Sequence, residues 1–117
     1  MSDYVDTCIF CKIAAGEFET EFASESDRVV AFNDINPVAP VHVLVVPKAH
    51  IESAGHIGPE HDGLWEEMLD VAQDVAGKTG VDETGYRLVT NVGAGAGQEV
   101  FHLHVHIIGG RKLKGIG

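Results

Sequence analysis

An α+β domain built on an antiparallel sheet is the fold class predicted by three observations. The elements run helix, strands, helix, strands; several strands are joined by hairpin-length connections; and strand and helix never alternate as a parallel doubly wound sheet requires. A chain of 117 residues suits one domain, 1–117, with five strands, one short helix and one long helix.

Residues 7–15 predict the short helix, with Thr7 as N-cap, apolar residues at 9, 10 and 13, and Gly16 as the stop. Residues 22–23 and 29–32 predict two short strands joined by the acidic turn Ser24-Glu25-Ser26-Asp27. Residues 33–37 form a loop, because Asn, Asp and Pro set turns through their side chains and a locked φ. Residues 41–46 are β-branched at most positions and predict a strand ended by Pro47.

The long helix is predicted over 59–78. Pro59 suits its first turn, Glu60 and Asp62 its positive end, and Lys78 with Gly80 its exit. Leu64, Met68, Val71, Ala72 and Val75 form its buried stripe. Residues 86–90 and 100–108 predict the last two strands, with a glycine-rich loop between them.

Composition limits the partners. Eighteen acids against eight bases give a net charge of −10, which repels a nucleic-acid polymer or an anionic membrane surface. Apolar runs such as Val43-Leu44-Val45-Val46 fall far short of the ~18 residues of a membrane span. The first six residues carry acid where a secretory signal carries base, so a cytoplasmic location is expected. Arg111, Lys112 and Lys114 still make the tail locally positive. Two cysteines cannot staple a chain of this size, and in a reducing compartment such a pair points to metal or redox chemistry.

The densest chemistry is His102, His104 and His106, alternating with Leu103, Val105 and Ile107. In an extended chain, alternate residues share a face, so three imidazoles point one way while the apolar set enters the core. At a rise of ~3.3 Å per residue, neighbouring histidines stand roughly 6.6 Å apart at Cα, close enough for two rings to reach one phosphate. Imidazole is a nucleophile and a proton carrier near neutral pH, and its charged form attracts anions. The preceding Gly93, Gly95 and Gly97 suit a flexible hairpin loop, or a cradle whose backbone N–H groups approach phosphate. They precede a strand, so they are not a dinucleotide fingerprint, which opens a helix.

His102-Leu103-His104-Val105-His106-Ile107-Ile108 resembles the signature of the histidine triad family. The similarity covers nearly the whole chain. Ile9 to Ile13, Phe32 to Pro37, Val46 to His50 and Gly97 to Phe101 resemble segments of its Hint branch, in the same order. The resemblance implies a homodimer whose sheets join across the interface. It implies binding of purine nucleoside monophosphates and hydrolysis of their phosphoramidates and related acyl-nucleotides. By position, His104 would attack the α-phosphorus and form a nucleotidyl-histidine intermediate. His106 and Gln98 would hold phosphate oxygens beside Asn91 and Gly97. Asp34 would accept the ribose hydroxyls, and Phe10, Phe32 and Ile35 would wall the base. Read alone, Asp34 is equally a turn-forming aspartate. Glu99 departs from the family pattern: animal members carry a serine there that assists the leaving group, and a carboxylate donates a proton only if its pKa is raised.

Cys8 and Cys11 have the spacing with which two thiolates share a metal, although zinc, a redox pair and two unconnected thiols all fit the residues alone. The redox reading expects a preceding strand in a βαβ unit, and none is predicted. The resemblance implies a structural zinc completed by His50 and His102. His42, His56 and His61 show no partner pattern and read as structural. The leading function is a nucleotide hydrolase. The alternatives are a nucleotide-binding scaffold with vestigial hydrolysis, a dinucleoside polyphosphate hydrolase of another triad branch, and a zinc-stabilised redox module.

Overall fold

Strand alternation decides how the layers stack. The computed structural model describes residues 4–116, so residues 1–3 of the acidic N-terminus lie outside the described residues. Five antiparallel strands, β1 (Ser24–Glu25), β2 (Val29–Asn33), β3 (Val41–Pro47), β4 (Tyr86–Val89) and β5 (Val105–Gly109), form one sheet in the order β1-β2-β3-β5-β4. Val29 and Ala31 of β2, Val43 and Val45 of β3, and Val105 and Ile107 of β5 line one face. Against that face packs helix α2 (Leu64–Thr79) through Leu64, Met68, Val71, Ala72 and Val75, the stripe the periodicity predicts. Val30, Phe32, Leu44 and Val46 line the other face, where the short helix α1 (Ile9–Ala14) brings Phe10 and Cys11. Both faces are covered there, so β2 and β3 are apolar at nearly every position.

Several boundaries differ from the sequence expectation, each for a local reason. Cys8, not Thr7, caps α1, its sulfur accepting the Cys11 N–H at 3.4 Å. Ser24 and Glu25, read as turn, are β1, while Ala23 only donates its N–H to Ala31 O. The helix predicted over 59–78 breaks in two. Gly63 adopts φ +75°, a left-handed conformation that stops helix propagation, leaving Pro59–His61 as a single 3-10 turn. A short helix α3 (Val81–Thr84) follows Gly80 and lacks a counterpart in the sequence reading.

The most consequential difference lies in the histidine segment. The β3–β5 ladder pairs Val45 with Val105, and two residues further on it would set Pro47 against Leu103. Proline has no N–H to donate, so the ladder ends there, and Leu103 donates instead to Ile51 O at 2.6 Å. Residues 100–104 therefore lie outside β5. Alternation nonetheless persists: Leu103 is fully buried with Val105 and Ile107, which turns His102, His104 and His106 toward the α1 side.

Glu67 of α2 ties the β1–β2 turn to the helix. Its carboxylate accepts from Ser26 Oγ, from Arg28 N at 2.8 Å and from Arg28 Nε at 2.8 Å. The Ser26 hydroxyl first, and then Arg28, hold its pKa down at about 2 against an ordinary 4.5. A lowered carboxylate pKa stabilises the fold above the unfolded value and ceases to do so as pH falls through the folded one. Glu67→Ala should lower stability by about 1 kcal/mol at pH 7. In urea unfolding, its gap from the wild type should close as pH falls from 4.5 toward 2.

Candidate functional site

Two clusters grow from the freed histidine segment. In the first, α1 presents Cys8 and Cys11, the chain after β3 presents His50, and the segment before β5 presents His102. Their ligand atoms all lie within 4.8 Å of one another. Cys8 Sγ is 3.3 Å from His102 Nδ1, Cys11 Sγ is 3.4 Å from His50 Nδ1, and Cys11 Sγ is 3.5 Å from His102 Nδ1. His102 Nε2 lies 2.8 Å from Pro47 O. A carbonyl only accepts, so Nε2 carries the ring proton and Nδ1 keeps its lone pair toward the thiols. Burial pushes the His102 pKa down to about 4, which keeps the ring neutral and able to ligate. Burial also raises the Cys11 thiol pKa. Two buried thiols beside the His102 lone pair and the His50 ring nitrogen make a group that could hold a metal ion.

The second cluster lies on the same face of the sheet. His104 Nδ1 is 2.8 Å from His102 O, so it donates and leaves a lone pair on Nε2. Thr90 Oγ1, just past β4, donates to His104 O at 2.8 Å and fixes the backbone from the other side. The Phe10 ring meets the edge of His104 at a centroid distance of 5.1 Å and that of Phe32 at 5.7 Å. His106 lies 5.0 Å from His104, centroid to centroid.

His42, which the sequence reading left as structural, proves to belong here. Leu44 pairs with His106 and His42 with Ile108, so His42 and His106 are diagonal neighbours on one face. Val38 N donates to His42 Nδ1 at 3.1 Å, which puts the proton of the neutral ring on Nε2. That Nε2 meets His106 Nδ1 at 2.9 Å, with Asp34 Oδ2 at 3.4 Å. His106 then accepts at Nδ1 and keeps Nε2–H as a donor. Asp34, His42 and His106 also cluster closely enough to surround an ion. With its proton on Nε2, however, His42 offers a cation no lone pair, and the group reads as a hydrogen-bond chain.

The family model described as Scavenger mRNA decapping enzyme C-term binding matches residues 7–115. Protein HitA of Neisseria gonorrhoeae is 46% identical over 105 residues, covering 90% of this chain and 97% of that protein. The chain belongs to the histidine triad (HIT) family. The purine nucleoside phosphoramidase of Escherichia coli K12 is 40% identical over 105 residues, covering 90% of this HIT protein and 88% of the relative. A solved histidine triad protein from Clostridium difficile superposes with a TM-score of 0.91 at 46% identity, covering 97% of this chain and 98% of that one.

The remaining expected residues of this HIT protein are placed unevenly. Asp34 is half-buried, and its Oδ1 accepts the Asn36 N–H at 2.8 Å, so its turn-forming role is real and leaves Oδ2 toward His42. Ile35 stands 91% exposed, whereas Phe10 and Phe32 are buried. Gln98 is buried and turned inward: its Oε1 accepts from Gly93 N at 2.8 Å, and its Nε2 donates to Glu52 O and Val100 O. Gly97, at φ +95°, closes a 3-10 turn by donating to Ala94 O, with Asn91 alongside. The glycine loop is thus braced from within by Gln98. Glu99 is exposed and lines a cleft of ≈ 420 Å³ with His50, Glu52 and Phe101.

Burial, then the neighbouring His104 and His42, pushes the His106 pKa down to about 4 from 6.5, with Asp34 opposing. As pH falls below 6.5, the unfolded chain takes up this proton before the folded one does. The stabilisation by the neutral ring is therefore complete above 6.5 and lost as pH drops toward 4. His106→Asn should make the stability–pH slope in that window shallower by up to about 1.4 kcal/mol per unit, read by chemical unfolding at several pH values.

Proposed function

We propose that this HIT protein binds purine nucleoside monophosphates and hydrolyses nucleoside 5′-phosphoramidates and acyl-nucleotides through a nucleotidyl-histidine intermediate. The observation that carries the reading is the His104 tautomer. Its Nδ1–H is fixed on His102 O at 2.8 Å, so the Nε2 lone pair is free for phosphorus. Nε2 attacks the α-phosphorus, the P–N bond to the leaving amine breaks, and the amine departs with a proton. Water then attacks phosphorus, the bond to Nε2 breaks, and the monophosphate is released with the imidazole restored. His106 donates from Nε2 to a phosphate oxygen, oriented by the His42 proton at its Nδ1. The glycine loop, braced by Gln98 and flanked by Asn91 and Gly97, receives the remaining oxygens. Asp34 accepts the ribose hydroxyls, and Phe10 and Phe32 wall the base, with Ile35 at its rim. Glu99, in its exposed cleft, takes the position at which the family resemblance puts a residue that assists the leaving group. The name of the Escherichia coli relative agrees with this chemistry.

Zinc is the metal this reading assigns to Cys8, Cys11, His50 and His102. Bonds of ~2.3 Å to sulfur and ~2.0 Å to nitrogen give tetrahedral sulfur–nitrogen edges of about 3.5 Å. The 3.3, 3.4 and 3.5 Å separations match. A closed four-ligand ion supplies structure only, joining α1 to the histidine segment. β4 ends the sheet and is longer than β1 at the opposite edge, which makes it the edge for continuing the sheet across a homodimer. One domain, reduced thiols and an acidic surface suit a cytoplasmic protein.

Turnover of adenosine 5′-phosphoramidate should fall at least about a thousandfold in His104→Ala. Equal rates in the two proteins would contradict the assignment. Binding of nucleotide by the wild type with no turnover would support the scaffold reading instead. Protein purified without added metal should carry close to one zinc per chain, and Cys11→Ser should lose it. A small fraction of an equivalent in the wild type would remove the four-ligand site.

A further inference from the structure

We infer that Arg111 is a positioning residue for His106, acting through Val38 and His42. The starting point is the end of β5. Gly110 turns with φ +92°, and a Cβ there would stand 2.9 Å from Pro40 Cβ and 3.3 Å from Val41 N. Only glycine passes so close, and the turn lays Arg111 across the loop that follows β2. Its Nη2 donates to Val38 O at 2.9 Å, and its Nη1 donates to Lys112 O at 3.0 Å.

Val38 is therefore gripped on both sides, its carbonyl by Arg111 and its N–H by His42 Nδ1 at 3.1 Å. Packing does not hold it, since the side chain is 59% exposed. Pro37 and Pro40 beside it have no N–H to tie the loop down. The guanidinium therefore keeps the Val38 N–H aimed at His42.

That aim has a chemical consequence. With the Val38 donor in place, His42 Nδ1 must accept and its proton must sit on Nε2, where it meets His106 Nδ1 at 2.9 Å. Without the donor, the His42 proton can move to Nδ1, and His106 can then hold the contact only by carrying its own proton on Nδ1, which removes the Nε2–H. Otherwise His106 loses its orienting partner, and its Nε2–H is no longer held for a ligand. Arg111 is thus three hydrogen bonds from His106 and touches no substrate itself.

The affinity part of the test rests on the proposed nucleotide site, whereas the tautomer part does not. In the full chain labelled with nitrogen-15 at histidine, long-range proton–nitrogen spectra should show wild-type His42 as the Nε2–H form. In Arg111→Ala, the His42 nitrogens should shift toward a mixture of both forms. Affinity for adenosine monophosphate should drop about fivefold, the loss expected for one such hydrogen bond. Arg111→Lys keeps a cationic donor and should recover most of both effects, and Arg111→Gln replaces the alanine variant if that fails to fold. His42 unchanged in folded Arg111→Ala would overturn the inference, as would wild-type His42 carrying its proton on Nδ1. Failure of the wild type to bind adenosine monophosphate would count against the nucleotide reading alone, and the tautomer would still decide on Arg111.

Discussion

Pro47 offers the sheet a carbonyl and no N–H, and both clusters grow from that asymmetry. The β3–β5 ladder stops where Pro47 would face Leu103. Beyond that point the histidine segment is held by other bonds: Leu103 N on Ile51 O, His102 Nε2 on Pro47 O, and His104 Nδ1 on His102 O. Outside the ladder, the backbone carbonyl of His102 accepts the Nδ1–H of the nucleophile candidate. The Pro47 carbonyl fixes the tautomer of the His102 ring, which turns its lone pair to the cysteines. Two backbone carbonyls, Pro47 O and His102 O, thus set the protonation pattern on two neighbouring histidines.

The roles stay separate because each ring has a partner that only donates or only accepts. Pro47 O and His102 O accept, and Val38 N–H donates, so the neutral tautomers of His102, His104 and His42 follow without ambiguity. Among the described residues, each buried side-chain nitrogen and oxygen has a hydrogen-bond partner, as a polar layer inside a packed fold requires. Phe10 joins the clusters: its ring edges meet His102 at 5.9 Å and His104 at 5.1 Å, on a helix whose flanking Cys8 and internal Cys11 face the metal-ligand group. The net charge of −10 is then a background, and under the proposed function the imidazoles and backbone amides would supply the local attraction for a phosphate.

Much of this was legible in the residues. The α2 stripe, the two-residue alternation of the histidines and the Cys-x-x-Cys spacing are local patterns, and local patterns survive folding. What was not legible depends on pairing between distant segments. The parity of the 41–46 run puts His42 on the face of Leu44, but only the register of β3 on β5 sets it against His106. The 100–108 run looks like strand throughout, and only the proline opposite Leu103 shortens it. Gly63 reads as an ordinary helix residue until its positive φ breaks the turn, and the inward direction of Gln98 is set by Gly93, Glu52 and Val100 together.

The central claim is that His104 Nε2, freed by the bond from its own Nδ1–H to the chain, forms the covalent bond to phosphorus. It is tested most directly by mixing the protein with adenosine 5′-phosphoramidate, quenching within one turnover in alkali, and locating any added nucleotidyl group by peptide mass spectrometry. The account predicts one adenylyl group on the peptide containing His102 to His106, fragmenting to His104 and absent from His104→Ala. Turnover without an adduct, or an adduct on His106 in its place, would contradict it.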